Sequence, residues 1–214
     1  MEQNRKNLLK GYNMLLYFAG SMIMSEPTEE CVVDLWTNGT LRRLPVSSSN
    51  PRFLKAASIL RDSCADKDNC REKLADDYFT LFADNGLPLA PAQASIYLSD
   101  TNKKVPVERE VTEFYNSYGW HPAKPGKSAD HLGIELLFLT KLVDKYLLLD
   151  DDPSCGEMKK EIRRFIDNYL LSWIPAWDKN IQEHAHTLSY KGISTLIYAC
   201  LEDINGIFSA GKGC

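Results

Sequence analysis

No Gly-x-x-x-x-Gly-Lys-Ser/Thr loop and no Gly-x-Gly-x-x-Gly occur in this chain, so both common phosphate cradles are missing. Gly211-Lys212-Gly213 has no predicted helix after it to supply amide donors and is not read as a phosphate site. There is no His-Glu-x-x-His, no Cys-x-x-Cys, and no serine or cysteine in a recognisable nucleophile elbow. His184 and His186 stand two apart and, on a helix, point to opposite sides, which does not suit a shared metal. Cys64 and Cys70 bracket an acidic, turn-like segment without a second pair. No metal, no cofactor and no catalytic residue is therefore expected, and the six cysteines read as reduced thiols of a cytoplasmic protein, with Cys200 a small core residue.

Excess positive charge is absent too. Lys and Arg number 25 against 29 Asp and Glu, a net charge of -4, which provides no field for nucleic acid and leans toward basic ligands or peptides. No apolar run reaches membrane-spanning length. The stretch 14–24, MLLYFAGSMIM, follows basic residues as a signal-peptide core would. Tyr12-Asn13 and the lack of a small-x-small cleavage site argue against that. Leu8, Tyr12, Leu15, Leu16, Ala19, Met22 and Ile23 recur at helical spacing, so the stretch reads as a first core helix. Neither secretion nor stable membrane insertion is expected. Internal repeats, low-complexity tracts and alternating strands are missing as well.

What is present is helix. A hydrophobic share of 44% and a charged share of 25% over 214 residues fit one sizeable core, read as a single domain over 1–214. After the first helix, a second is expected over about Thr28–Trp36, ended by Asn38-Gly39. Pro51 opens a third, and Asp68 caps a fourth carrying Leu74, Tyr78, Leu81 and Phe82. The segment 85–100 is broken by Pro88 and Pro91 and reads as a loop with Tyr97 in it. Pro106 starts a helix that Gly119 ends, followed by the loop 120–129. A helix from about Asp130 to Leu149 is apolar nearly all round, as a central helix would be. The acidic run 150–152 reads as a solvated turn. Helices near Gly156–Trp173, Trp177–Leu188 and Tyr190–Phe208 complete an all-α globule of about ten helices, with hinge loops at 85–100 and 120–129 and a frayed tail at 209–214.

The most informative junction is 113–142, where a proline-punctuated loop ends in Asp130-His131 and runs directly into that apolar helix. Ionisable groups at the mouth of a buried helix lose water unless they are paired or serve a purpose. Asp130 stands where a helix N-cap or first turn favours a carboxylate, and Glu135, four residues after His131, can pair with it. This arrangement has two readings, a loop-to-helix anchor or a negative patch beside an apolar groove. Asp130-His131 is similar to the His-Asp pair of metal phosphohydrolases in reverse order, but the other ligands are missing. Tyr78, Leu81 and Phe82 at helical spacing suit a core, whereas Tyr97 and Trp120 lie in proline-rich loops, where aromatics line recognition surfaces.

Three blocks, DDYFTLFADNGLPLAPAQASIYLSD, EFYNSYGWHPAKPGKSADHLGIELLFLTKL and SWIPAWDKNIQEHAHTLSYKGISTLIYACL, resemble the TorD/DmsD family of redox-enzyme maturation chaperones over about residues 8–208. The second block carries the family's Asp-His-x-Gly-x-Glu-Leu-x-Phe-Leu arrangement. Leu-Gly after Asp-His favours this branch over the nitrate-reductase chaperones. Two departures are Ala129 in place of the family's proline and Leu137 in place of its frequent glutamate. The resemblance implies an all-helical cytoplasmic chaperone without catalytic activity. Such a chaperone binds the twin-arginine signal peptide and apoprotein of a molybdopterin-dependent reductase, of the DMSO or TMAO reductase type, as a monomer or helix-swapped dimer. By carry-over, Tyr78, Leu81, Phe82, Tyr97, Asp130 and His131 are peptide-contact candidates. Trp120 joins them from its loop position, and Glu135 as a second carboxylate for the arginines. The rival readings are a small metal- or nucleotide-dependent hydrolase using Asp130-His131, and a general protein-interaction module.

Overall fold

The computed structural model describes residues 2–37, 39–63, 70–83, 87–98, 106–122 and 126–209. Among them the architecture is all-α, with one isolated antiparallel bridge between Gln93 and His131 and no strand. Helix α1 is Glu2–Met24, α2 Glu29–Val32, α3 Pro51–Asp62, α4 Cys70–Tyr78 and α5 Ala94–Tyr97. Helix α6 is Val107–Ser117, α7 Leu132–Leu147, α8 Asp152–Phe165, α9 Ile174–His184 and α10 Leu188–Ser209. Among the described residues no helix is long and apolar enough to cross a membrane.

Helices α1, α7 and α10 form the centre, with α3 packed on α10 and α8 against α7. Helix α7 is buried on nearly every face, as its sequence led us to expect. Its N-terminal turn meets α1 through glycines. A Cβ on Gly133 would lie 2.9 Å from the carbonyl oxygen of Gly20 and 2.2 Å from Cγ of Met24, whereas one on Gly20 would meet nothing nearer than 3.6 Å. We expect Gly133→Ala to lower unfolding free energy by about 2 kcal/mol, overpacking outweighing the gain in helix propensity. Gly20→Ala should cost nothing and add up to about 1 kcal/mol. Urea titration of both variants checks this. Polar ties reinforce the centre. Asn13 on α1 donates to the carbonyl of Thr140 (3.1 Å) and to Asp144 (2.8 Å) on α7. Asp203 on α10 accepts from Tyr12 (2.7 Å), Ser48 (2.7 Å) and Asn50 (2.9 Å), and so gathers α1 and the segment before α3.

Several boundaries differ from the sequence reading. Thr28 does cap α2, but the helix ends at Val32 and one π-turn, Val33–Thr37, continues it. A second π-turn, Phe79–Ala83, extends α4; its expected cap, Asp68, lies outside the described residues. The acidic run 150–152 does not simply close α7. Asp151 caps α8, accepting the amide of Ser154 at 2.9 Å, and that bond holds its carboxyl below the usual range. Asp152 sits in the first turn of α8, where the helix dipole favours a carboxylate. Helix α9 begins at Ile174 rather than near Trp177, and Pro175 occupies its first turn, where the missing N–H costs nothing. His184 closes α9 and His186 is already in the following loop, so the pair does not share a helix. The expectation of six reduced thiols is also overturned. Cys70 and Cys155 each take part in a disulfide, Cys31 and Cys200 are free, and Cys64 and Cys214 lie outside the described residues.

Candidate functional site

Asp130 and Glu135 have no exposed surface and His131 only 2%. The loop-to-helix anchor is thus what the geometry displays. Its parts are arranged differently from the sequence reading. His131, not Asp130, is the N-cap of α7, and its Nδ1 accepts the amide of Gly133 at 3.1 Å. This leaves the ring proton on Nε2 when the imidazole is neutral. Asp130 turns back to a segment 35 residues earlier. Its carboxylate accepts the amide of Ser95 at 2.8 Å, and its main-chain carbonyl accepts that of Ala94 at 3.0 Å. The first turn of α5 has no side-chain cap of its own, so Asp130 supplies one across space. Ser128 donates to the other carboxylate oxygen, and Leu132 donates to the carbonyl of Ala92 at 2.7 Å. Together these bonds strap residues 92–95 over the mouth of α7.

Glu135 lies one turn further in. Neither of its oxygens has a hydrogen-bond partner among the described residues, so the expected bond to His131 is not formed. Burial pushes its carboxyl well above the usual carboxylate range, the nearby charge of Asp130 adds to this, and the Trp173 indole opposes it. The Trp173 indole N–H itself donates to the carbonyl of Tyr169 at 2.7 Å. Tyr115 on α6 lies close by, donating to the carbonyl of Ala129 at 2.9 Å. Burial pushes its hydroxyl well above the usual phenol range, reinforced by Glu135 and Asp130. Above this layer Tyr97 stacks on Trp173 with ring centres 5.3 Å apart, and Trp120 meets Tyr115 edge-on at 4.9 Å. Burial moves the Tyr97 hydroxyl up to about 12, against a weak bond from Asn180. Asp130, His131, Glu135, Tyr97 and Trp120 therefore belong to one layered cluster.

Tyr78, Leu81 and Phe82 form another. Leu81 is fully buried, and Tyr78 meets Phe82 edge-on at 5.5 Å. Phe82 in turn packs on Tyr190 at 5.4 Å and Trp177 at 6.5 Å. The exposed apolar side chains of this stretch are its neighbours: Phe79, Leu87, Leu89 and Ile96. Helical spacing cannot follow a π-turn or an irregular loop, which hides Phe79, Leu87 and Leu89 from a sequence reading, and Ile96 is on a single helical turn within a stretch expected to be a loop. The sequence reading also passed over Asp77. This carboxylate, 1% exposed, accepts the amides of His186 (3.0 Å) and Thr187 (2.8 Å) and the Thr187 hydroxyl (2.6 Å). It thereby holds the α9–α10 turn. A half-open cavity of about 370 Å³ lies beside it, with Leu74, Thr80 and Leu188 in its wall. Among the described residues no three His, Cys, Asp or Glu side chains converge as metal ligands would.

The family model described as nitrate reductase delta subunit matches residues 50–178, which holds both clusters and Asp77. The chain belongs to that family. Curated relatives carry the name Chaperone protein TorD, so the resemblance noted in the sequence is borne out. The TorD protein of Vibrio vulnificus (strain YJ016) is 28% identical over 141 residues, 64% of this chain and 66% of that protein. That of Vibrio parahaemolyticus is 27% identical over 138 residues, 63% of each. The chain thus spans just under two thirds of the length of these relatives. The all-α class expected from the sequence agrees with the structure, and the Asp130–Glu135 layer lies within the matched stretch.

Proposed function

We propose that this chain is a cytoplasmic maturation chaperone for a molybdopterin-dependent reductase of the DMSO or TMAO reductase type. It binds the reductase's twin-arginine signal peptide and holds the apoprotein until the cofactor is inserted. The observation that carries the reading is the family match, together with relatives that are named chaperones. The same names favour a binding protein over a hydrolase built on Asp130-His131. The buried positions of Asp130 and His131 fit that preference.

The geometry supports a division of labour. Phe79, Leu87, Leu89 and Ile96 present apolar surface in the stretch 79–96 and would take the hydrophobic part of the leader. Each buried square ångström there contributes about 25 cal/mol before the costs of association. Tyr97, Trp120, Asp130, His131 and Glu135 meet the peptide only once α5 is displaced. Tyr78, Leu81 and Phe82 act from beneath, fixing the π-turn that presents Phe79. The whole of 1–214 acts as one unit, either as a monomer or by exchanging helices at 85–100 or 120–129. Light scattering separates those two states.

Calorimetry with a synthetic twin-arginine leader and its Arg→Lys counterpart tests the reading. Bidentate guanidinium contacts to carboxylate are lost with lysine, so we expect roughly 10- to 100-fold weaker binding of the lysine peptide. Equal affinity for both peptides would mark a general interaction module instead.

A further inference from the structure

A fully buried carboxyl group with two unpartnered oxygens demands an explanation, since such groups are rare in folded proteins. Glu135 is one, and it sits on the most protected helix of the fold. The groups that act on it come from three directions. Asp130 approaches from the preceding loop, Tyr115 from α6 and the Trp173 indole from the turn before α9. His131 caps the same helix one turn earlier, but its Nδ1 is engaged by Gly133. Among the described residues no lysine or arginine is one of the groups that influence Glu135. Two carboxyls, one of them unpartnered, thus lie together among a phenol and an indole. The strap of residues 92–95 lies against Asp130, which among the described residues is its one side-chain latch.

We propose that Asp130 and Glu135 form a closed cation well that takes a guanidinium group of the bound peptide, and that filling it expels a proton. The inference rests on the function proposed above and adds a protonation step to that site. In the closed form Glu135 is a neutral acid, because ionising it beside Asp130 without a partner is unfavourable. When α5 lifts, the Ser95 amide leaves Asp130 and a guanidinium takes its place. Glu135 now has a donor for its oxygens, so its proton passes to buffer and the resulting carboxylate accepts the N–H groups of the cation. One positive charge enters and one proton leaves. The net charge of the well is then the same when filled as when closed, so the cation is buried without leaving an uncompensated charge.

Calorimetry at neutral pH in buffers of differing ionisation enthalpy counts the protons released on binding the twin-arginine leader. We expect about one proton per complex for the wild-type chain. Glu135→Gln should release none and bind roughly 10- to 100-fold more weakly, having lost a charge-assisted contact. Asp130→Asn, which keeps the shape of the latch, should also weaken binding and reduce proton release. Infrared spectra of the free protein should contain a protonated-carboxyl C=O band that is lost on adding the peptide and is absent in Glu135→Gln. Binding with no proton release, or with equal release from wild type and Glu135→Gln, overturns the well and leaves the chaperone reading standing. Failure of every twin-arginine leader to bind overturns both.

Discussion

Asp77→Ala should destabilise the chain by about 3 kcal/mol, a loss of roughly 6–12 °C in Tm for a protein of this size. The carboxylate accepts three hydrogen bonds from the loop between α9 and α10, two of them from backbone amides. It is therefore the remote cap for the longest helix after α1, which begins at Leu188 and contributes a central wall of the core. Removing it strands the amides of His186 and Thr187 where no helix turn can take them. Asp77→Asn should lose more than half as much. Its amide can keep one acceptor, but its NH₂ would face either the single amide of His186 or the two donors of Thr187. Asp76→Ala, one residue away and exposed, should stay within about 0.5 kcal/mol of wild type. Thermal and urea unfolding of the three variants measures this. Similar losses for Asp76→Ala and Asp77→Ala would show that the acidity of the block, not the clamp, is what counts.

That clamp marks where the sequence was legible and where it was not. Apolar periodicity identified α1, α6, α7 and α10, because each buries a stripe or more of its surface and the period of burial is the period of the helix. Thr28, Pro51 and Gly119 marked helix ends correctly, since caps and φ restrictions act within a few residues. Two of the failures share one cause. Asp130 caps α5 and Asp77 caps the entry to α10, at separations of 35 and 109 or more residues, and no local pattern encodes a capping partner so far away. Asp151 illustrates the reverse. Its role at the start of α8 is encoded locally, yet an acidic run between two helices reads equally well as the end of α7. Glu135 could be picked out as an ionisable group on an apolar helix, but its lack of a partner exists only in three dimensions. The raised acidity threshold has a consequence for stability as well. Its folded value lies above its unfolded one, so the contribution of Glu135 is fully present below the unfolded carboxyl range. It is lost as pH rises through the folded value.

The strap and the well make opposite demands on the two partners of the α5 latch, and this separates recognition from anchoring. Asp130→Ala removes the carboxylate that holds the Ser95 amide, and with it one wall of the well. We expect peptide affinity to fall roughly 10- to 100-fold, while stability falls by only about 1–2 kcal/mol, because the main-chain bonds from Ala94 and Leu132 survive. Ser95→Pro breaks the same bond from the other side. It deletes the amide donor and biases Ala94 away from helical geometry, yet leaves Asp130 in place with the oxygen that held Ser95 free. If opening α5 precedes binding, this variant is already part-way open, and its affinity should rise severalfold because more of the population is competent. Hydrogen exchange at residues 94–97 should accelerate in both variants, so both unlatch the strap to a comparable degree. A purely structural anchor predicts a different pattern, with the two substitutions lowering stability and affinity together. Opposite signs in affinity at matched loss of protection are the outcome that the closed well requires, because of the two latch partners Asp130 supplies charge to the incoming guanidinium while the Ser95 amide competes with it.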